Sequence, residues 1–235
     1  MLELMRASDR SAALVLCSGG QDSTTCLRWA ANRYQEVYSV AFDYGQRHRV
    51  ELDAAQTVAD MVGVVEHRVI PLQALKELAG NSLTGEEAVR NDLQADNGLP
   101  NTFVPGRNLM FFTLAAAWAY QLQVSHLVTG VCQTDYSGYP DCRQNTVQAM
   151  TMALRAGMDY AFTIHTPLMH LTKAQSVQLA QEEQAMDLLA YSHTCYNGAV
   201  PPCGTCPACR LRQRGFTEAG IEDPLLQRLA SEGRL

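Results

Sequence analysis

Positive charge is scarce in this chain. Acids outnumber Lys plus Arg by 24 to 18, for a formal net charge of −6. The broad basic face that a nucleic-acid footprint needs is therefore missing, and no direct nucleic-acid partner is expected. Only two residues are lysine, Lys173 among them, so any nucleotide site has to gather its cations locally. Long apolar runs are also missing. The longest, Leu109 to Tyr120, is too short to span a bilayer and reads as a buried helix. Met1 to Arg10 lack an apolar signal region, so the expectation is a cytoplasmic protein with no membrane contact. Neither G-x-x-x-x-G-K-S/T nor G-x-G-x-x-G occurs, which removes two common phosphate-loop types.

The 235 residues, 47% of them hydrophobic, suffice for one substantial core with a small appendage. Apolar β-rich runs recur at Ala12–Cys17, Val37–Phe42, Glu66–Ile70, Leu127–Gly130 and Phe162–His165. Helical patterns lie between them at Asp22–Tyr34, Arg49–Val62, Asn108–Leu122 and Asn145–Gly157. This alternation predicts an α/β fold, a doubly wound and mostly parallel five-stranded sheet with helices on both faces. Ligand then belongs at the carboxyl ends of the strands. Residues 1–165 are expected to form the nucleotide-binding domain and 166–235 a C-terminal section. Segment 76–107, rich in Gly, Asn and acids, is too long for an ordinary connection: a mobile lid with Asn101 to Arg107 ordered against the site is expected, a disordered insert being the alternative. Thr172 and Gln175 have the spacing of a capping box.

The first strand runs into Ser18-Gly19-Gly20-Gln21-Asp22-Ser23-Thr24-Thr25, ahead of an amphipathic stretch starting near Cys26. Adjacent glycines let the backbone bend tightly and turn its N–H groups toward one point. The positive end of the next helix faces the same point, and four hydroxyls add neutral donors. An ordinary strand–helix turn with one serine cap would account for less than half of this. The reading is a phosphate socket.

Eight cysteines are present, and four of them crowd into Cys195-x7-Cys203-x2-Cys206-x2-Cys209. That clustering is a metal signature of a reducing compartment rather than a disulfide framework. Four thiolates match tetrahedral Zn²⁺ with no position left open, so the ion should be structural. An iron–sulfur cluster is the competing reading, although the spacing matches no ferredoxin run. Arg210, Arg212 and Arg214 follow, read as a solvated or interface face with RNA contact as the alternative.

The glycine turn resembles the SGGxDS loop of the PP-loop ATP pyrophosphatases, of HUP-like fold. Further segments narrow the resemblance: Phe42-Asp43-Tyr44-Gly45-Gln46-Arg47-His48, Thr102-Phe103-Val104-Pro105-Gly106-Arg107-Asn108, Asp135 to Arg143, Thr166-Pro167-Leu168 with Leu171-Thr172-Lys173, and Cys195-Tyr196-Asn197-Gly198. Together they are similar to the 7-cyano-7-deazaguanine synthase family of queuosine biosynthesis, from about Ala12 to Gly220. Gln175, where the family pattern has an acid, and a slightly short first metal gap are the two departures.

The resemblance implies that 7-carboxy-7-deazaguanine, ammonia and ATP become a nitrile, with AMP and pyrophosphate released. It assigns nucleotide binding to Cys17, Ser18, Gly19, Gly20, Gln21, Asp22, Ser23, Thr24, Thr25, Cys26 and Leu27, with Val40 to Phe42 framing adenine. Cys17 and Cys26 also read as small buried hydrophobes. Lys173, Asp22, His48 and Arg143 are the catalytic candidates. Asp22 is either a Mg²⁺ ligand through water or a helix cap. Substrate contacts fall to Tyr44, Arg47, Arg107, Asp135, Tyr139, Asp141 and Arg143. Zn²⁺, Mg²⁺ and ATP are the implied small partners, and a homodimer the implied assembly. A tRNA-thiolating PP-loop enzyme using Cys132 or Cys142 as sulfur carrier is the rival, beside other adenylating amide ligases. A non-enzymatic nucleotide or nucleic-acid module is the rival from another class.

Overall fold

The computed structural model describes residues 11–46, 49–78, 82, 83, 89, 98–134 and 138–235. Five strands, β1 (Ala12–Leu16), β2 (Glu36–Asp43), β3 (Glu66–Pro71), β4 (His126–Thr129) and β5 (Thr163–His165), make one sheet in the order β3-β2-β1-β4-β5. Every pairing is parallel. Helices α1 (Gln21–Ala31), α2 (Val50–Val62), α3 (Gln73–Leu78), α4 (Arg107–Leu122) and α5 (Gln144–Met158) belong to the sheet region. Helices α6 (Lys173–Glu182), α7 (Met186–Leu189), α8 (Pro207–Ala219) and α9 (Pro224–Ser231) follow.

Strand residues alternate between faces because successive side chains point oppositely. Leu14, Val40, Phe42 and Leu127 pack with Phe112, Ala115 and Trp118 of α4 and with Leu154 of α5. Ala13, Val15, Val37, Ala41 and Val128 pack with Leu27 and Ala30 of α1 and with Ala55 and Val58 of α2. Both faces of the central strands are thus buried, as expected of an all-parallel sheet. Strand order reverses between β1 and β4, which puts the crevice for a ligand at their carboxyl ends.

Element ends differ little from the sequence reading. Helix α1 begins at Gln21, one residue before the Asp22 at which the helical pattern starts, because Gly20 turns the chain straight into the first helical residue. Thr172 accepts from the Gln175 N–H while the Gln175 side chain accepts from the Thr172 N–H, completing the capping box. Within the 76–107 segment, residues 79–81, 84–88 and 90–97 lie outside the described residues. Asn101, Thr102 and Val104 are buried, and Ser82 donates to the Asn101 carbonyl from both its N–H and its hydroxyl.

Candidate active site

Gly19 is the tightest point of the loop after β1. Its φ is +83°, and a Cβ there would lie 2.2 Å from the Glu51 carbonyl and 2.5 Å from the Ala55 nitrogen. The loop therefore rests directly on the first turns of α2, where only glycine fits. Gly20 is the N-cap of α1 and no side chain caps it. Ser18 and Ser23 hydroxyls sit 3.2 Å apart, and Ser23 Oγ also donates to the Gly20 carbonyl at 3.2 Å. On the other side Gly130, just past β4, would bring a Cβ within 2.9 Å of the Asp22 carbonyl carbon. Two glycines thus let backbone crowd the start of α1.

That helix start opens into a cavity of about 260 Å³ lined by Cys17, Ser18, Gly20, Gln21, Asp22 and Ser23. Positive helix dipole and uncapped amide groups suit an anion. Thr24, Thr25, Cys26 and Leu27 do not line it. Thr25 Oγ1 donates to the Gln21 carbonyl at 3.0 Å, and Cys26 and Leu27 are in the core beneath the sheet. With α1 starting at Gln21, these positions follow the residues that reach the cavity. Burial holds the Cys17 thiol at a pKa of about 11, so it is a neutral packing group at ordinary pH.

Val40, Ala41 and Phe42 line the cavity at the end of β2. Phe42 stacks on Phe111 of α4, centroids 4.2 Å apart and planes 8° from parallel. Arg107, Tyr44, Tyr139 and Tyr196 complete this aromatic side. Burial pushes the Tyr44 phenol up to about 12, which keeps it a neutral donor. Tyr139 pairs its hydroxyl with Thr102. Asp141 is buried, and its Oδ2 accepts the Asn108 N–H at 3.2 Å. It fixes the first turn of α4 and does not line the cavity. Arg143 is exposed, donates to the Gly138 carbonyl at 3.4 Å, and is likewise absent from the lining. Arg47, His48 and Asp135 lie outside the described residues.

Lys173 lies behind the loop rather than in the cavity wall. Its Nζ donates to Asp22 Oδ2 at 2.6 Å, with the lysine side chain only 6% exposed. Asp22 therefore caps nothing; it holds a cation. Gly215 of α8 makes this packing possible, since a Cβ there would stand 2.6 Å from Lys173 Cγ.

The four cysteine sulfurs of the C-terminal cluster all lie within 4.8 Å of one another. Cys203 and Cys209 sulfurs are 3.9 Å apart, close to the ~3.8 Å edge of a tetrahedron with bonds of about 2.3 Å. The N–H groups of Cys203, Cys206 and Cys209 point at sulfurs of Cys195, Cys203 and Cys206, at 3.4–3.5 Å. Such donors favour thiolate over thiol, so the group fits a metal ion. The following helix is tied down by Arg212, which is buried and not solvated. It forks onto Asp223 at 2.6 and 2.8 Å and reaches Ser192, Thr194 and the Leu189 carbonyl. Arg210 and Arg214 are exposed.

With this geometry in place, residues 12–220 match the family described as queuosine biosynthesis protein QueC. The chain belongs to the QueC family. It is 58% identical over 223 residues to the 7-cyano-7-deazaguanine synthase of Laribacter hongkongensis, covering 94% of this chain and 97% of that one. It is 56% identical over 236 residues to the enzyme of the same name from Chromobacterium violaceum, covering 97% and 98%. Among solved structures it is similar to a 4-thiouridine synthetase in an RNA complex with bound ATP. There the TM-score is 0.50 and identity 17%, over 94% of this chain and 53% of that one. That distant likeness speaks to fold alone. The QueC match fits the nitrile-synthase reading and not the tRNA-thiolating one.

Several lining residues of this QueC chain were not singled out from sequence. Glu51, Gln46, Phe111, Gly130, Thr194 and Tyr196 all reach the cavity. Gln46 and Tyr196 stand in segments that carry the family resemblance, and Tyr196 adjoins the first metal cysteine. The others reach the site through packing between distant segments, such as the His193 N–H that binds the Gly19 carbonyl at 2.8 Å.

Proposed function

We propose that this chain makes 7-cyano-7-deazaguanine from 7-carboxy-7-deazaguanine, ammonia and ATP. The supporting observation is the uncapped start of α1 at the β1–β4 reversal, opening into a cavity walled by stacked aromatics. The backbone around Ser18 to Ser23 suits the two phosphates that leave as pyrophosphate. Val40 to Phe42 suit adenine, and Tyr44, Arg107 and Tyr139 suit the deazapurine acid.

A carboxylate oxygen attacks the α-phosphorus, the bond to the bridging oxygen breaks, and pyrophosphate leaves. Ammonia adds to the acyl carbon, loses a proton and expels AMP, giving the amide. The amide oxygen attacks a second ATP at the α-phosphorus, again releasing pyrophosphate. Loss of two protons from nitrogen and departure of AMP leaves the carbon–nitrogen triple bond. The protein contributes positioning and charge stabilisation. Lys173 and Asp22 hold the floor beneath the phosphates; the buried ammonium supplies the positive field there.

Mg²⁺ accompanying ATP would neutralise phosphate charge. Asp22, whose Oδ1 has no hydrogen-bond partner, and Glu51 are the acids of the lining that could face it. Zn²⁺ would be held by Cys195, Cys203, Cys206 and Cys209 as a structural ion, giving folding energy to a small segment. Residues 1–165 then carry nucleotide and 166–235 carry the ion, in a cytoplasmic homodimer. The test is mass spectrometry of the deazapurine after incubation with ammonium and ATP. The nitrile is expected with two AMP formed per turnover; recovery of unchanged acid with no AMP would refute the reading.

A further inference from the structure

Arg107, the first residue of α4, lies in the cavity among rings. Its guanidinium carbon is 5.7 Å from the Tyr139 ring centroid, 5.9 Å from Tyr44 and 6.0 Å from Phe111. The Tyr44 phenol lies beside it. Its Nε is buried with no hydrogen-bond partner. Among the described residues, no carboxylate forms an ion pair with it. Asp141 is the acid whose field reaches it, and that carboxylate is engaged by the Asn108 N–H. Aromatic faces soften the cost of burying a cation but do not use its planar fork of donors. Such a fork matches a planar carboxylate in two parallel hydrogen bonds. The Phe111 ring stands beside it, suited to packing against a flat bicyclic ring.

We propose that Arg107 is the receptor for the substrate carboxylate, so that the site distinguishes the acid from the amide. The inference rests on the nitrile-synthase reading above. It gives the two half-reactions different needs. The first begins with an anion that Arg107 can fork; the second begins with a neutral amide that offers one carbonyl oxygen. The phosphate groups of ATP are common to both. An arginine serving ATP would therefore be needed equally in each, whereas a carboxylate receptor is needed chiefly in the first.

The experiment measures kcat/KM by AMP release with 7-carboxy-7-deazaguanine plus ammonium and, separately, with 7-amido-7-deazaguanine. Arg107→Gln is expected to lower the value for the acid by about a hundredfold or more, as loss of one partner of a charged pair does. The value for the amide should fall far less. Arg107→Lys, which keeps the charge without the fork, should recover part of the acid turnover. It also preserves the acid-versus-amide contrast if the glutamine variant does not fold. An equal fall with both substrates in a folded variant overturns the assignment. No AMP from the unmodified protein with either substrate would instead refute the reading on which it rests.

Discussion

Lys173 sits where a helix least favours a cation, at the first residue of α6, and only 6% of its side chain is exposed. The helix dipole opposes it, and Asp22 at 2.6 Å offsets that. A buried ammonium beside the proposed phosphate socket would act as a fixed positive field. Lys173→Met is expected to lower kcat by about 10²–10³, the usual loss for one preorganised electrostatic group. Steady-state kinetics with ATP and the acid check this; unchanged turnover would remove Lys173 from the mechanism. Sequence exposed this lysine because it is rare and stands at a cap. It did not show the contact of Asp141, whose carboxylate accepts the Asn108 N–H in the fold. Local chemistry was legible at residue scale; the partner of a side chain some thirty positions away was not.

At the scale of elements, the joint between α1 and α6 carries a pH dependence. Arg33 NH groups bind both Glu183 oxygens at 2.6 and 2.8 Å, and Asn32 Nδ2 adds a bond at 2.7 Å. The Arg33 hydrogen bonds, opposed by burial and helped by Asn32, hold the Glu183 carboxyl below its ordinary value. A depressed folded pKa means stabilisation that is complete above the unfolded value of about 4.3 and is lost as pH falls through the folded value. Glu183→Gln should therefore have a lower Tm than the parent at about pH 7, with the gap closing below about pH 4. Thermal unfolding across that range checks it, and a gap independent of pH would contradict it. Strands and helices were legible because apolar period and cap chemistry are local: Thr172 and Gln175 form the box their spacing foretold. The start of α1 was legible too: the helical pattern begins at Asp22, one residue after the Gln21 that Gly20 admits.

The whole molecule joins a two-faced sheet to a thiolate-bearing section, and the joint runs through the site. His193 binds the Gly19 carbonyl, Thr194 and Tyr196 enter the cavity, and Gly215 of α8 lies against Lys173. The cysteine spacing made the cluster readable as a metal group, but nothing local said that its flanks would touch the phosphate loop. Arg212 shows the same limit: in sequence it is one of three alternating arginines, and in the fold it is a buried clamp on Asp223. Long-range placement of this kind follows from sheet order and helix packing. The central claim is that the backbone between β1 and α1 grips the tail of ATP. A crystal structure with the α,β-methylene analogue of ATP tests it most directly. The account predicts the β- and γ-phosphates against the amide groups of Ser18 to Ser23, with adenine beside Val40 to Phe42. A triphosphate bound elsewhere, with that turn unengaged, would contradict it.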